Sequence, residues 1–231
     1  MGEKAGHWRG DRDDLRVSGI GVLNGGKVQS AKIDGIAWVN GDIDSESLIV
    51  NGKADIKGSV RTGNAEVHGL AQVGSWFEAE CCKIEGMLDV EEAMKCREAK
   101  VYGSLTVHGC CQAERLISEG KLKLDALSAG EMRMKLDGQS SVRELSAGKV
   151  DVSVKGDWLR SGWQKLLSFP KEHRLHAGTI EGEDIYLEHT TASVVRGTRV
   201  KIGPGCDIGL VQYSEKLELH SQSDIRQTKR F

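Results

Sequence analysis

The chain is predicted to be all-β, wound as a parallel solenoid of ~17-residue coils with one short helical insertion. Three observations carry this. Nine glycines keep a near-constant pitch, at Gly19, Gly35, Gly52, Gly69, Gly86, Gly103, Gly120, Gly138 and Gly156, with intervals of 16 to 18 residues. Between them apolar residues recur two apart, which is the period of a strand. Glycine is abundant at 29 residues while aromatics are 5% of the chain, a composition that fits thin stacked coils better than a thick globular core.

Residues 1–14 are polar and charged with Trp8 as the one large apolar side chain, and read as a flexible tail. Residues 15–156 form eight to nine coils. Counting each repeat glycine as zero, inward pairs follow at plus two and plus four: Ala37/Val39, Ala54/Ile56, Ala71/Val73, Leu88/Val90, Leu105/Val107 and Leu122/Leu124. An inward position at plus eight holds Ile43, Val60, Phe77, Met94 and Cys111. A last pair precedes the next glycine, as in Leu15/Val17, Ala31/Ile33, Leu48/Val50, Ala65/Val67, Cys82/Ile84, Ala99/Val101, Met134/Leu136 and Val152/Val154. Three short strands per coil make a three-sided body, and the usual crossover preference makes it right-handed. The glycines are expected to supply corner backbone angles closed to other residues.

The repeat has irregularities. Ser118 stands where an apolar residue is expected. Leu127-Ser-Ala-Gly130 and Leu145-Ser-Ala-Gly148 mark coils one residue longer, where a bulge or a wider corner is expected on one face. Residues 157–179 break the register. Trp158, Leu159, Trp163, Leu166, Leu167 and Phe169 make this segment apolar, and a helical face is expected to pack on the solenoid or to dock a partner or membrane. Strand spacing resumes over 180–225 with Ile185/Leu187, Val200/Ile202 and Leu217/Leu219, and 226–231 reads as a basic tail.

Charge is balanced, 32 basic against 34 acidic residues, so no field favours nucleic acid. No signal peptide or membrane-spanning apolar run is visible. Of the six cysteines, Cys82 and Cys111 fall in inward columns, Cys96 lies two beyond the Met94 column, and Cys81 and Cys110 point outward. They read as small hydrophobes of a reducing compartment, because CC pairs lack the CxxC spacing of a zinc site. No P-loop, dinucleotide fingerprint or GxSxG string is present, and no catalytic, cofactor or metal residues are predicted. His68 and His108 read as solvated corner residues.

The glycine-punctuated coil resembles the bactofilins, the polymer-forming bacterial cytoskeletal proteins. The resemblance rests on Leu15-Arg-Val-Ser-Gly-Ile-Gly21, the Gly25-Gly26 pair and Lys32-Ile-Asp-Gly35. Two C-terminal strings add to it, Ile180-Glu-Gly-Glu-Asp-Ile-Tyr-Leu-Glu188 and Val200-Lys-Ile-Gly-Pro-Gly-Cys-Asp-Ile-Gly209, which look like the bactofilin-like proteins of bacilli. The resemblance implies a right-handed, three-sided β-helix whose copies join end to end without nucleotide. It implies a cytoplasmic scaffold, often at the inner face of the membrane, for cell shape, envelope or motility. Its partners would be further copies, a paralogue, and cytoplasmic or membrane-associated proteins, with membrane contact indirect. The apolar N-terminal anchor of some members is not seen in residues 1–14.

The residues support self-association in their own right, since an uncapped solenoid ends in bare strand edges above apolar columns. Candidate residues for that contact are Leu15, Val17 and Ile33 near one end and Val211, Leu217 and Leu219 near the other. The competing classes are a monomeric binding module with Trp38, Trp76 and Tyr102 outward, and an enzyme on a β-helix. Val200–Gly209 also resembles the hexapeptide repeat of acyltransferases and gamma-type carbonic anhydrases, though only for about two turns. A polysaccharide lyase or hydrolase would need long loops and clustered acids, and these coils are close to minimal length.

Overall fold

The computed structural model describes residues 14–154 and 173–231, and no helix occurs among them. The strands are β1 (Leu15–Val17), β2 (Ile20–Lys27), β3 (Ser30–Ile33), β4 (Ile36–Val50), β5 (Lys53–Ile56) and β6 (Val60–Val67). They continue with β7 (Leu70–Val73), β8 (Phe77–Ile84), β9 (Met87–Val90), β10 (Met94–Val101), β11 (Ser104–Ser118) and β12 (Lys121–Leu136). The series ends with β13 (Gln139–Val154), β14 (Arg174–Leu187), β15 (Thr190–Ile202), β16 (Asp207–Leu219) and β17 (Asp224–Arg230). The pairing is parallel, coil on coil, and the fold is a β-solenoid. Two compact units can be distinguished, 1–114 and 115–231.

In the first unit the 17-residue period is the pairing register itself: Ala37 pairs with Ala54, Ala54 with Ala71, and Ala71 with Leu88. The expected inward pairs are buried, with Val39, Val50, Val60, Val67, Val90 and Leu105 at 0% exposure. Burying each such side chain stabilises by roughly 1.5–3 kcal/mol, so these columns carry the fold. A further inward column at plus ten holds Ser45, Thr62, Ala79, Cys96 and Ala113, all buried. Its small or polar members hide it from a hydrophobicity pattern. The polar ones are satisfied locally: Ser45 Oγ donates to Thr62 Oγ1 at 3.1 Å, and Thr62 Oγ1 to the Asn64 carbonyl at 3.1 Å.

Gly41 and Gly138 have the backbone angles expected of corner glycines, but five of the repeat glycines are required for a different reason. Among the described glycines only Gly26, Gly41, Gly138 and Gly205 have positive φ. At Gly35, Gly52, Gly69, Gly86 and Gly103 the constraint is space, because a Cβ would overlap the carbonyl oxygen of the glycine one coil below. That close approach lets each corner close two hydrogen bonds onto one carbonyl, as where the Asn51 and Gly52 amides both donate to the Ile33 carbonyl at 2.8 and 3.1 Å.

In the second unit the inward columns run Leu127, Leu145, Ile180, Val195, Val211 and Met132, Val150, Ile185, Val200, Leu217. Ser118 is buried as its register demands, and its hydroxyl donates to the Gly120 carbonyl at 3.3 Å. The bulge expected in the two long coils is absent between β12 and β13, which pair at a constant offset of 18 with Leu127 opposite Leu145 and Ala129 opposite Ala147. Equal lengthening keeps neighbours aligned. Register shifts occur instead at Asn24/Gly26 and Gly197/Arg199.

The expected boundaries also move. β13 ends at Val154, and strand resumes at Arg174 rather than near Ile180. β14 stacks directly on β13, with Gln139 opposite Arg174 and Val152 opposite Leu187. The chain therefore leaves β13 and enters β14 at the same corner that Asp137 and Gly138 span one coil earlier. The exit is held by Glu188, whose Oε2 accepts from the Val154 amide at 3.0 Å, and the return by His173, whose Nδ1 accepts from the Gly138 amide at 2.8 Å. The expected basic tail is strand: Arg226–Arg230 belong to β17, which pairs with Asp207–Tyr213 of β16. Asp14, assigned to the N-terminal tail, is anchored through Ser30 Oγ at 2.6 Å.

Candidate functional site

The functional candidates are strand edges, and each arises from a coil that lacks a neighbour. At the start of the first unit β1 pairs with β3 and β2 with β4, and among the described residues no strand lies on their outer side. Gly19 accordingly has nothing within 4 Å of the point where a Cβ would sit, unlike the glycines stacked on it. Leu15 and Val17 are buried in this outermost coil at 5% and 7% exposure, and Ile33 is fully enclosed one coil further in. Of these three predicted residues, β1 thus supplies two directly beneath the bare edge. Asp14 sits beside it, its carboxyl held below the usual range by the Ser30 hydroxyl and the Arg16 guanidinium.

The same edge carries apolar residues that the inward-column argument passed over. Ile20 and Val22 on β2 are 76% and 67% exposed, and they lie in register with Ile36 and Trp38 of β4, at 37% and 38%. The strand period placed these four outward, where a polar residue is the rule. Their signal in the sequence was an alternate-position apolar pair on the outward side of two successive coils.

In the second unit the last full coil is only partly covered. β17 lies over Asp207–Tyr213, so Val211 is fully buried beneath Thr228. Lys216–Leu219 pairs with β15 on one side and with no described strand on the other, whereas Ser214 lies in the register shift and its carbonyl accepts from Arg230 Nε of β17 at 2.9 Å. Leu217 is half-buried there and Leu219 is 48% exposed. Lys216 and Glu218 face outward as an ion pair at 2.6 Å, and Lys216 holds the Glu218 carboxyl below its ordinary value. Of the six predicted edge residues, Leu217 and Leu219 meet the open rim directly, whereas Ile33 and Val211 are interior columns.

Trp38, Trp76 and Tyr102 do not form one patch, since they occupy different register columns. Trp38 joins the Ile20 group, and Trp76 is half-buried with the Arg61 guanidinium 5.3 Å from its ring centre. Trp158, Leu159, Trp163, Leu166, Leu167 and Phe169, with the expected helix, lie outside the described residues. Cys82, Cys96, Cys111 and Cys206 are buried free thiols, Cys81 is half-buried and Cys110 exposed. Burial pushes the Cys96 thiol up to about 12 and that of Cys206 to about 11, which keeps both as neutral, unreactive groups.

A shallow groove crosses the outer face of β13 to β16, lined by Lys149, Asp184, Tyr186, Arg199, Lys201 and Glu218 among others. Several of its charges are matched. Arg199 Nη2 contacts Asp184 Oδ2 at 2.7 Å, and the Lys201 ammonium stands 5.6 Å from the Tyr186 ring centre. The Tyr186 hydroxyl donates to Glu188, which raises its pKa to about 12. No helix among the described residues is long and apolar enough to cross a membrane.

Two Bacillus subtilis (strain 168) proteins are similar to the chain. Uncharacterized protein YhbF is 35% identical over 102 residues, which is 44% of this chain and 40% of that protein. Uncharacterized protein YhbE is 38% identical over 89 residues, 38% of this chain and 35% of that protein. The chain thus spans less than half the length of each. No protein-family profile matches, and no solved structure does.

Proposed function

We propose that the chain is a non-enzymatic scaffold that self-associates through its bare strand edges, without nucleotide. The observation that carries this is the pair of rims that no described strand covers: β1–β2 in the first unit and Lys216–Leu219 in the second. Unpaired backbone donors and acceptors beside apolar side chains favour addition of a further strand. The resemblance to bactofilins supports the same reading and adds cytoplasmic partners, positioned at the inner face of the cell membrane for shape, envelope or motility. The two bacillus relatives are themselves described as uncharacterized and add no activity.

The test is negative-stain microscopy and light scattering of the untagged full chain, beside Val22→Lys and Leu219→Lys. Both substitutions fall on exposed side chains, so folding by circular dichroism is expected to persist. Ordered assemblies from the parent chain, lost in at least one variant, are the expected result. A parent chain that stays monomeric at every concentration tested overturns the proposal.

A further inference from the structure

Several outward charges in the first unit are matched at a spacing of two along the chain. Arg16 contacts Asp14 at 2.8 Å, Lys32 contacts Asp34 at 3.5 Å, Lys57 contacts Asp55 at 3.0 Å, and Lys83 contacts Glu85 at 2.6 Å. Two acids at the same spacing, Glu78 and Glu80, are each answered by an arginine, Arg61 at 3.0 Å and Arg97 at 3.2 Å. Asp89 and Glu91 depart from this order. Both are acids, and among the described residues no lysine or arginine forms an ion pair with either. What faces them is His108, one coil further on in the column of Glu91. Its Nε2 lies 3.1 Å from Asp89 Oδ1.

The side-chain donor atoms of Asp89, Glu91 and His108 all lie within 4.8 Å of one another. Two carboxylate oxygens and one imidazole nitrogen suit a divalent transition ion of borderline softness, with metal–ligand distances of about 2.0–2.2 Å. Drawing three ligands onto one ion requires small side-chain rotations, and all three groups are at least partly solvated. Asp89 points outward from β9 and Glu91 follows at the bend just after it, while coil stacking brings His108 alongside. We propose that Asp89, Glu91 and His108 bind a zinc-class divalent ion, leaving its remaining coordination positions to water. The site does not depend on self-association. No contiguous motif announces it, because the third ligand arrives through the stacking register.

Cobalt(II) is the probe, since its visible bands distinguish nitrogen and oxygen ligation from thiolate ligation by the six cysteines. The full chain, untagged and metal-free, is titrated beside His108→Ala, Glu91→Gln, His68→Ala and Cys110→Ser. His68 is the control, because Lys83 already answers Glu85 within its carboxylate pair. One equivalent of cobalt without a thiolate charge-transfer band is expected, displaced by zinc. Affinity should fall by at least about tenfold in His108→Ala and Glu91→Gln, the loss that removing even a supporting partner produces, and be unchanged in the two controls. Binding that survives His108→Ala, or that Cys110→Ser or His68→Ala abolishes, overturns the proposal, as does the absence of binding.

Discussion

Replacing Gly69 by alanine isolates the contact that sets coil spacing. A Cβ there would overlap the Gly52 carbonyl oxygen, and backbone atoms of Asn51 lie almost as close. The neighbours are main chain, so relief requires the two coils to part at that corner. Three hydrogen bonds close it: His68 and Gly69 amides to the Val50 carbonyl at 2.8 and 2.9 Å, and the Leu70 amide to Gly52 at 2.9 Å. At about 1 kcal/mol net for each bond weakened, offset by roughly 0.4–1 kcal/mol from a stiffer unfolded chain, the cost is about 2 kcal/mol. That corresponds to a melting temperature lower by roughly 4–8 °C for a chain of this size. Gly19→Ala is the matched comparison: nothing lies within 4 Å of its added carbon, and its φ is not positive. It should leave the melting temperature unchanged or slightly raised. Thermal unfolding followed by far-ultraviolet circular dichroism reads both. Equal losses in the two variants would refute close approach as the reason for glycine at these corners.

Replacing residues 155–173 by Asp-Gly, the connection used at 137–138, should preserve the far-ultraviolet spectrum and keep the melting temperature within a few degrees; loss of folding would contradict the continuous register of β13 and β14. A thiol reagent should modify Cys110 quickly, Cys81 more slowly, and Cys82, Cys96, Cys111 and Cys206 only after denaturation, so a native protein that releases six equivalents at once would be inconsistent with the buried columns. Asp34, Glu85, Asp184 and Glu218 have pKa values lowered in the fold by Asn51, Lys83, Arg199 and Lys216 respectively. Their contribution is present above the unfolded values near about 4 and is lost as pH falls through the lowered folded ones. The urea midpoint should thus drop between about pH 6 and about pH 3 by a modest, salt-sensitive amount, because these groups are exposed.

The glycine pitch and the alternate apolar positions were enough to place the columns of the first unit, because in a stack the sequence period is the pairing register. Val90, Leu105 and Phe77 are where the spacing puts them. The reason for the glycines was not legible: a residue chosen for backbone angle and one chosen for lack of a Cβ look the same in sequence. The column of Ser45, Thr62 and Ala79 escaped because small and polar side chains are buried there through local hydrogen bonds. The early return of strand at Arg174 was masked by His173, Arg174 and His176, polar residues set around Leu175 alone. At the edges, a hydrophobic pattern marks Val211 and Leu219 equally, though one is covered by β17 and the other is not.

That difference at the last coil bears on how copies would add under the proposed self-association. Where β17 lies over β16, the Ile208 column ends in apolar Ile225, while Thr228 stands opposite Val211 and Gln227 opposite Leu210. Arg226, Lys229 and Arg230 on the same strand add charge, which opposes pairing by a further strand. Among the described residues the segment Lys216–Leu219 has no such cover, and the columns of Ile185, Val200 and Leu217, and of Leu187, Ile202 and Leu219, reach it still apolar. Burying Leu219 alone would contribute up to roughly 1.5 kcal/mol, since half of it is already enclosed, and each added backbone hydrogen bond about 1 kcal/mol. Under the proposed self-association an incoming strand therefore gains more beside Lys216–Leu219 than over the charged β17, so a lysine at Leu219 should disrupt assembly more than one at Thr228.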